Sequence, residues 1–324
     1  MKNLKKIICM AIVLALTAVL FTGCSKVAKK DVIGIIQFGS HESLNNCYDG
    51  IIKGLKEQGI NPDDFDVQYV NSNFTAETSL AQAKKMVNSN AKVIVAIATP
   101  SAIQAATAAD GKDIPVVYCA VTDASQVANF ENMTGTSDVP DFDAQLKVVS
   151  SFFGKEDVKI GVLMSTEESS DPAQLTALKE AADKYNGMEI ISESVADITT
   201  IDAKVDSVIS KKVDCIVNLL DNTIVGKLQN ILVKTDEAGI PVFGSEIEQV
   251  KSGCLASASI DYVTVGTLAG RQAAEILHGK KANEVEPKTM ENETNPCYNS
   301  KVLAKFPSLK LPSNIEGIVD VAAE

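Results

Sequence analysis

The chain has 324 residues, 45% of them hydrophobic, and its 42 acidic against 30 basic side chains give a formal net charge of −12. That length supports two domains or one large α/β domain with a substantial core, and the hydrophobic share excludes a disordered chain. The acidic balance excludes nucleic acid as a partner of the folded body, which has no cationic footprint to neutralise phosphates.

The N-terminal stretch MKNLKKIICMAIVLALTAVLFTGCSKVAKK reads as a targeting segment. Lys2, Lys5 and Lys6 precede an apolar run over residues 7–20, which has the length of a secretory signal and falls short of the ~20 apolar residues that span a bilayer. The run ends in FTGC, small residues leading into Cys24 as in a bacterial lipobox, with Phe21 where leucine is usual. Residues 1–23 are therefore expected to be a lipoprotein signal peptide, Cys24 the lipid attachment site and residues 24–30 a tether; a secreted, unacylated chain is the alternative. Each acyl chain would hold the membrane by ~0.8 kcal/mol per buried CH2. Loss of residues 1–23 removes three lysines and no acid, leaving an extracytoplasmic, membrane-tethered body of net charge −15.

From residue 31 onward short β-rich runs alternate with helical stretches, the pattern of a parallel α/β architecture. VIGIIQF over 32–38 predicts a strand, residues 42–58 a helix closed by Gly59, and FDVQYVNS the next strand. A helix over AETSLAQAKKMVNSN follows, with Leu80, Ala83 and Met86 on one face, then strand KVIVAIATP, a helix from Ser101, and strand IPVVYCAVTD. The order then repeats: VKIGVLMST, a helix over DPAQLTALKEAADKYNG, MEIISESV, a helix over TTIDAKVDSVISKKV, DCIVNLLDNT, another helix, and IPVFGSE. Gln37 and Thr99 lie 62 positions apart and Thr99 and Thr122 23; in the second half Ser165 and Asp221 lie 56 apart and Asp221 and Ser245 24. Two similar lobes, each a parallel sheet flanked by helices, are expected.

Open parallel sheets bind ligands beyond the carboxyl ends of their strands. Those ends read Gln37 and Phe38, Thr99 to Ser101, and Thr122 and Asp123 in the first half. In the second they read Ser165 to Ser170, including Glu168 and Ser169, then Asp221 and Asn222, then Ser245 and Glu246. Each has a plainer reading: Thr99, Ser101, Asp221 and Asn222 suit helix caps and turns, the run from Glu167 a solvated loop, and Phe38 the core. Six polar ends matched between the halves nevertheless outline a cleft. The chain's one arginine, Arg271, falls in a helical stretch away from them, so a ligand carboxylate would meet the amides and hydroxyls of TPS and Thr122 instead of a guanidinium fork. Asp123, Asp221 and Glu246 offer acceptors for an ammonium, and the two walls together suit an α-amino acid.

Nothing activates a nucleophile: there is no GxSxG, HExxH or phosphate loop, and neither His41 nor His278 has metal-ligand spacing, so no enzyme, metal or cofactor is expected. Cys47, Cys119, Cys215, Cys254 and Cys297 form an odd set without a CxxC pair; a Cys47–Cys297 or Cys254–Cys297 bridge stays open.

The stretches GIIQFGSHESLNNCYDGIIKGLKEQG, ATPSAIQAATAADGKDIPVVYCAVTD, LDNTI and IPVFGSEIEQVKSGCLASASIDYVTVGTLAGRQAAEILHGKK resemble the substrate-binding lipoproteins of ABC importers, in the group linked to tryptophan and tyrosine uptake. The likeness covers residues 31–313, with Ala124 standing where members usually carry proline. It implies a type I periplasmic-binding-protein fold with three crossovers, near TSDVPD, SIDYV and KKANEVEP. Lobe one would then be 31–137 and 262–283, lobe two 138–261 and 284–324. It implies a monomer that closes on an aromatic amino acid and hands it to a permease powered by an ATPase. Thr99, Ser101 and Thr122 would take the carboxylate and Asp221 the ammonium, with Asn222, Glu168, Ser169 and Glu246 as second choices and Phe38 against the ring. A surface adhesin contacting host cells, alone or in addition, and a ligand-sensing lipoprotein are the competing readings.

Overall fold

A computed structural model describes residues 30–290 and 294–323. The expected signal peptide, Cys24 and all of the tether but Lys30 lie outside the described residues, and among the described residues no helix is long and apolar enough to cross a membrane.

The first strand, β1 (Val32–Gln37), is buried at every position, as expected of a strand covered on both faces. Helix α1 (Glu42–Glu57), β2 (Asp66–Asn71), α2 (Ala76–Asn88), β3 (Val93–Ile97), α3 (Thr99–Ala109), β4 (Val116–Cys119) and β5 (Met133–Ser137) complete the first half. The second contains α4 (Phe142–Phe153), β6 (Lys159–Ser165), α5 (Asp171–Ala182), β7 (Glu189–Val195), α6 (Ile201–Ser210) and β8 (Cys215–Val217). It continues through α7 (Asn222–Val225), α8 (Leu228–Ala238), β9 (Val242–Phe243), α9 (Ile247–Lys251) and β10 (Ala256–Ser257). Helix α10 (Tyr262–Leu277), β11 (Lys288–Thr289), β12 (Cys297–Tyr298), α11 (Ser300–Leu303) and β13 (Val319–Asp320) follow.

The sheets repeat one topology. Lobe one orders its parallel strands β11-β5-β4-β3-β1-β2, and lobe two β7-β6-β8-β9, so β6, β7, β8 and β9 take the places of β1, β2, β3 and β4. In each lobe the order reverses beside the first strand, which opens a crevice at its carboxyl end. Alternate side chains of β1 serve two cores: Ile33 and Ile35 pack with Ile51, Leu55 and Val265 beneath α1 and α10, while Val32 and Ile36 pack with Met86, Ala102 and Ala105 beneath α2 and α3.

Helices α1 and α10 approach at backbone distance. A Cβ on Gly54 would sit 2.2 Å from the Thr267 carbonyl oxygen, and one on Gly266 2.2 Å from that of Cys47. The chain crosses between lobes after β5, between β10 and α10, and again beyond β11. The third crossing departs from expectation: Lys288 and Thr289 pair in parallel with Thr136 and Ser137, so lobe one extends past the boundary expected at residue 283 and past KKANEVEP. Lobe two regains the chain at β12, which pairs with β10 and β13 in a small third sheet. The five cysteines beyond Cys24 are all buried free thiols.

Candidate functional site

The crevices of the two lobes face each other across a closed cleft. Side-chain hydrogen bonds among the described residues join them, including His41 Nε2 to Asn222 Oδ1 at 2.9 Å, Asn46 Nδ2 donating to Glu248 Oε1 at 3.1 Å, and Ser169 Oγ donating to Gln126. Between the lobes lies a cavity with about 20 Å3 of water-accessible space, room for about one water while the lobes are this close, so a larger ligand needs them to part. Lobe one supplies His41, Ser43 and Leu44 from the start of α1, Ala120 and Thr122 from beyond β4, and Tyr262 from the start of α10. Lobe two supplies Leu220, Asp221, Asn222 and Val225 around α7, with Glu246 and Gln249 at α9, and Asp138 enters from the first crossover.

Of the residues singled out in the sequence, Thr122, Asp221, Asn222 and Glu246 line this cavity. The others do not, and in each case the side chain is engaged within the fold. Gln37 donates to the Gly39 carbonyl and to Asn45, Phe38 is a core residue edge-on to Phe74, and Ser101 Oγ meets Ser79 Oγ at 3.1 Å. Thr99 Oγ1 accepts from the Thr122 amide, and Asp123 caps the turn at Ser125; Phe38 sits in the core as its plainer reading has it, whereas neither Thr99 nor Ser101 caps α3, whose N-cap is Ala98. Glu168 lies behind the lining, accepting from Asn222 Nδ2 at 2.8 Å, and Ser169 bridges the lobes at the rim.

Asp221 is the N-cap of α7. Its Oδ1 accepts from the amides of Thr223 and Ile224, both at 2.9 Å, and its Oδ2 from the Ser165 amide at 2.6 Å, while the Asp171 carboxyl lies close enough to interact with the same carboxylate. Two oxygens offer about four acceptor positions, so the protein itself occupies most of the group expected to hold an ammonium. Asp171 Oδ1 accepts from Gln174, while Oδ2 accepts from no donor. Burial, then the Asp221 charge, pushes the Asp171 carboxyl up to about 11, so it is protonated at neutral pH.

The remaining electrostatics follow from burial in a cleft without a buried lysine or arginine. Desolvation raises Asp138, although Tyr262 and Thr122 donate to its oxygens at 2.7 and 3.1 Å. It lifts Glu246 to about 7 against the amides of Glu248 and Gln249, and raises Glu168 well above the carboxylate range, with the Asp221 charge adding to the effect. Burial lowers His41 to about 4, so its ring is neutral. Because Asn222 Nδ2 donates to Glu168, its Oδ1 receives the His41 Nε2–H, which leaves Nδ1 an acceptor with no protein partner. Ser43 Oγ, also lining the cavity and 2% exposed as a residue, makes no well-formed hydrogen bond, though it lies close enough to Glu246 to favour that group's charged form.

Helix α1 begins at His41 without a side-chain cap, whereas Asp221, Glu246 and Asp261 cap α7, α9 and α10. The positive end of a 16-residue helix and a hydroxyl without a well-formed hydrogen bond thus meet the cavity together, a combination suited to a carboxylate. Asp138, Glu246 and His41 Nδ1 supply acceptors for an ammonium, while Leu44, Leu220 and Tyr262 supply apolar surface.

His41, Ser43, Asp138 and Tyr262 line the cavity but were not among the site residues expected from the sequence. Asp138 and Tyr262 sit at crossovers, and a segment that passes from one lobe to the other must run beside the cleft. That constraint was the available signal. Among the described residues no group of three or more His, Cys, Asp or Glu is placed to hold a metal ion.

Residues 32–307 match the family described as ABC transporter substrate binding protein. The chain is 32% identical over 340 residues to a tyrosine-binding protein of Clostridioides difficile (strain R20291), covering 96% of this chain and 94% of that one. An ABC domain from Streptococcus pneumoniae in complex with L-Trp is 27% identical, with a TM-score of 0.82 over 90% of this chain and all of the other (100%). The ligand-free, open structure of a substrate binding protein with adhesive properties from Clostridium difficile is 29% identical, with a TM-score of 0.65 over 90% and 99% of the two chains. The closed lobes seen here are thus nearer in arrangement to the ligand-bound structure than to the open one.

Proposed function

The chain belongs to the family of ABC transporter substrate-binding proteins, and from that premise we propose that its cleft captures an aromatic amino acid, tyrosine or tryptophan, outside the cytoplasm for delivery to a membrane permease. Such a protein binds and releases its substrate without transforming it. The observation that carries the amino-acid reading is the pairing of the uncapped α1 terminus and Ser43 Oγ with buried acceptors in one cavity. In this assignment the ligand carboxylate meets Ser43 and the first amides of α1, in place of Thr99 and Ser101. The ammonium meets Asp138 and Glu246, in place of Asp221, and the ring lies along Leu44, Leu220 and Tyr262. Relatives described as tyrosine-binding and as bound to L-Trp support the ligand class. Lipid attachment at Cys24 would keep the protein beside its permease. A relative with adhesive properties supports surface adhesion as an additional role.

The test is a thermal-shift panel on residues 25–324 with the twenty amino acids, simple sugars and nucleosides. A ligand at 100 times its dissociation constant stabilises by ~2.7 kcal/mol. Shifts with tyrosine or tryptophan are expected; a shift with sugars or nucleosides alone overturns the assignment.

A further inference from the structure

A second chamber opens on the other side of α7, with about 440 Å3 of water-accessible space. It lies where β2 of lobe one and β7 of lobe two end, and both lobes contribute to its walls. His41, bonded to Asn222, stands between it and the central cavity, and the Phe74 ring lies parallel to the His41 ring with centroids 6.4 Å apart.

Phe74 is placed with care by the fold. Asn73 and Phe74 both take left-handed backbone angles, φ 52° and 61°, which non-glycine residues seldom adopt. The ring occupies space that any side chain at residue 39 would fill, since a Cβ on Gly39 would fall 2.0 Å from Phe74 Cε1. A Cβ on Gly226, in lobe two, would lie 3.0 Å from Phe74 Cζ. The ring therefore reaches across the cleft between two glycines, and it lines the chamber together with Val195 and Ile198.

The chamber's other features select the occupant. Glu77, Glu167 and Asp197 face Lys227 alone, so the lining carries an excess of negative charge. Deeper in, Thr223 is 6% exposed and its Oγ1, buried, has no hydrogen-bond partner. An unpaired buried hydroxyl is costly unless something bonds to it.

We propose that this chamber is a second ligand site, distinct from the central cavity, for a hydroxylated aromatic amine carrying a single positive charge. The ring packs against Phe74 and Ile198, the ammonium faces the carboxylates at the rim, and the ring hydroxyl bonds Thr223 Oγ1. The apolar wall excludes simple polyamines, and the acidic rim disfavours a second zwitterion or an acid.

The experiment titrates tyramine, then phenethylamine, into the protein alone and into protein saturated with tyrosine, by calorimetry. Tyramine binds the saturated protein with 1:1 stoichiometry, at least tenfold tighter than phenethylamine, and Thr223→Val removes that preference while leaving tyrosine affinity unchanged. Glu167→Gln weakens both amines. Competition between tyramine and tyrosine, an absence of tyramine binding, or a preference that survives Thr223→Val overturns the proposal. Should tyrosine fail to bind, the central-cavity reading fails on its own, and tyramine titrated into the protein alone still decides the chamber.

Discussion

Ser43 Oγ illustrates how a single atom separates binding from folding. It is buried in the cavity wall beside the Glu246 carboxylate and makes no well-formed hydrogen bond, so the fold draws little from it. Ser43→Ala should leave the urea midpoint unchanged. A hydrogen bond to a charged group contributes about 1.5–3 kcal/mol, so affinity for the amino acid should fall by about 10- to 100-fold in calorimetry. A lowered midpoint with intact affinity would show that the hydroxyl serves the fold instead. Glu246 makes the converse point, because its burial is a stability statement. Its carboxyl stands at about 7 against an ordinary 4.5, so between those values the unfolded chain loses a proton that the folded chain keeps. Stability therefore declines as pH rises through that window, by up to about 3 kcal/mol, and levels off above it. His41, lowered from 6.5 to about 4, acts in the opposite sense, adding stability as pH rises from 4 to 6.5. Glu246→Gln should remove the first contribution and keep the second. Urea midpoints at pH 5 and 7.5 check this: the variant gains on the parent at the higher pH, and an equal difference at both contradicts it.

At the scale of elements, the approach of α1 to α10 holds lobe one together, and glycine sets its distance. Gly54→Ala would bring a methyl to 2.2 Å from the Thr267 carbonyl oxygen and 2.9 Å from the Arg271 amide nitrogen, both backbone atoms that cannot turn aside. Equilibrium unfolding in urea should show a loss of about 1–3 kcal/mol, the usual range for overpacking, and an unchanged midpoint would contradict the close crossing. The elements themselves were legible in the sequence. Apolar runs such as VIGIIQ and the matched intervals between polar strand ends reflect burial on both sheet faces and a repeated unit, and both signals are local. The order in which strands lie side by side was legible only through family likeness, since parallel pairing joins distant segments. Side-chain direction was not legible at all. Thr99 and Ser101 stand at the predicted strand end, yet their hydroxyls turn to Thr122 and Ser79. Asp138 and Tyr262 reach the cavity only because the chain crosses there, and β11 extends lobe one because two residues find the edge of β5.

For the whole molecule, the cavity exists only while the lobes are together. Lobe one offers the helix terminus, Ser43 and Tyr262, and lobe two Leu220 and Glu246, so neither lobe alone completes the site. A ligand touching both shifts the population toward the closed form by its differential affinity, aided by the His41–Asn222 and Asn46–Glu248 bonds that closure permits. Buried acids without buried bases favour a ligand that brings its own ammonium. The measurement that tests this most directly is the crystal structure of residues 25–324 grown with L-tyrosine. The account predicts closed lobes, with the ligand carboxylate at Ser43 and the start of α1 and its ammonium at Asp138 and Glu246. Density for the amino acid outside this cavity, or bound to one lobe with the cleft open, would contradict it.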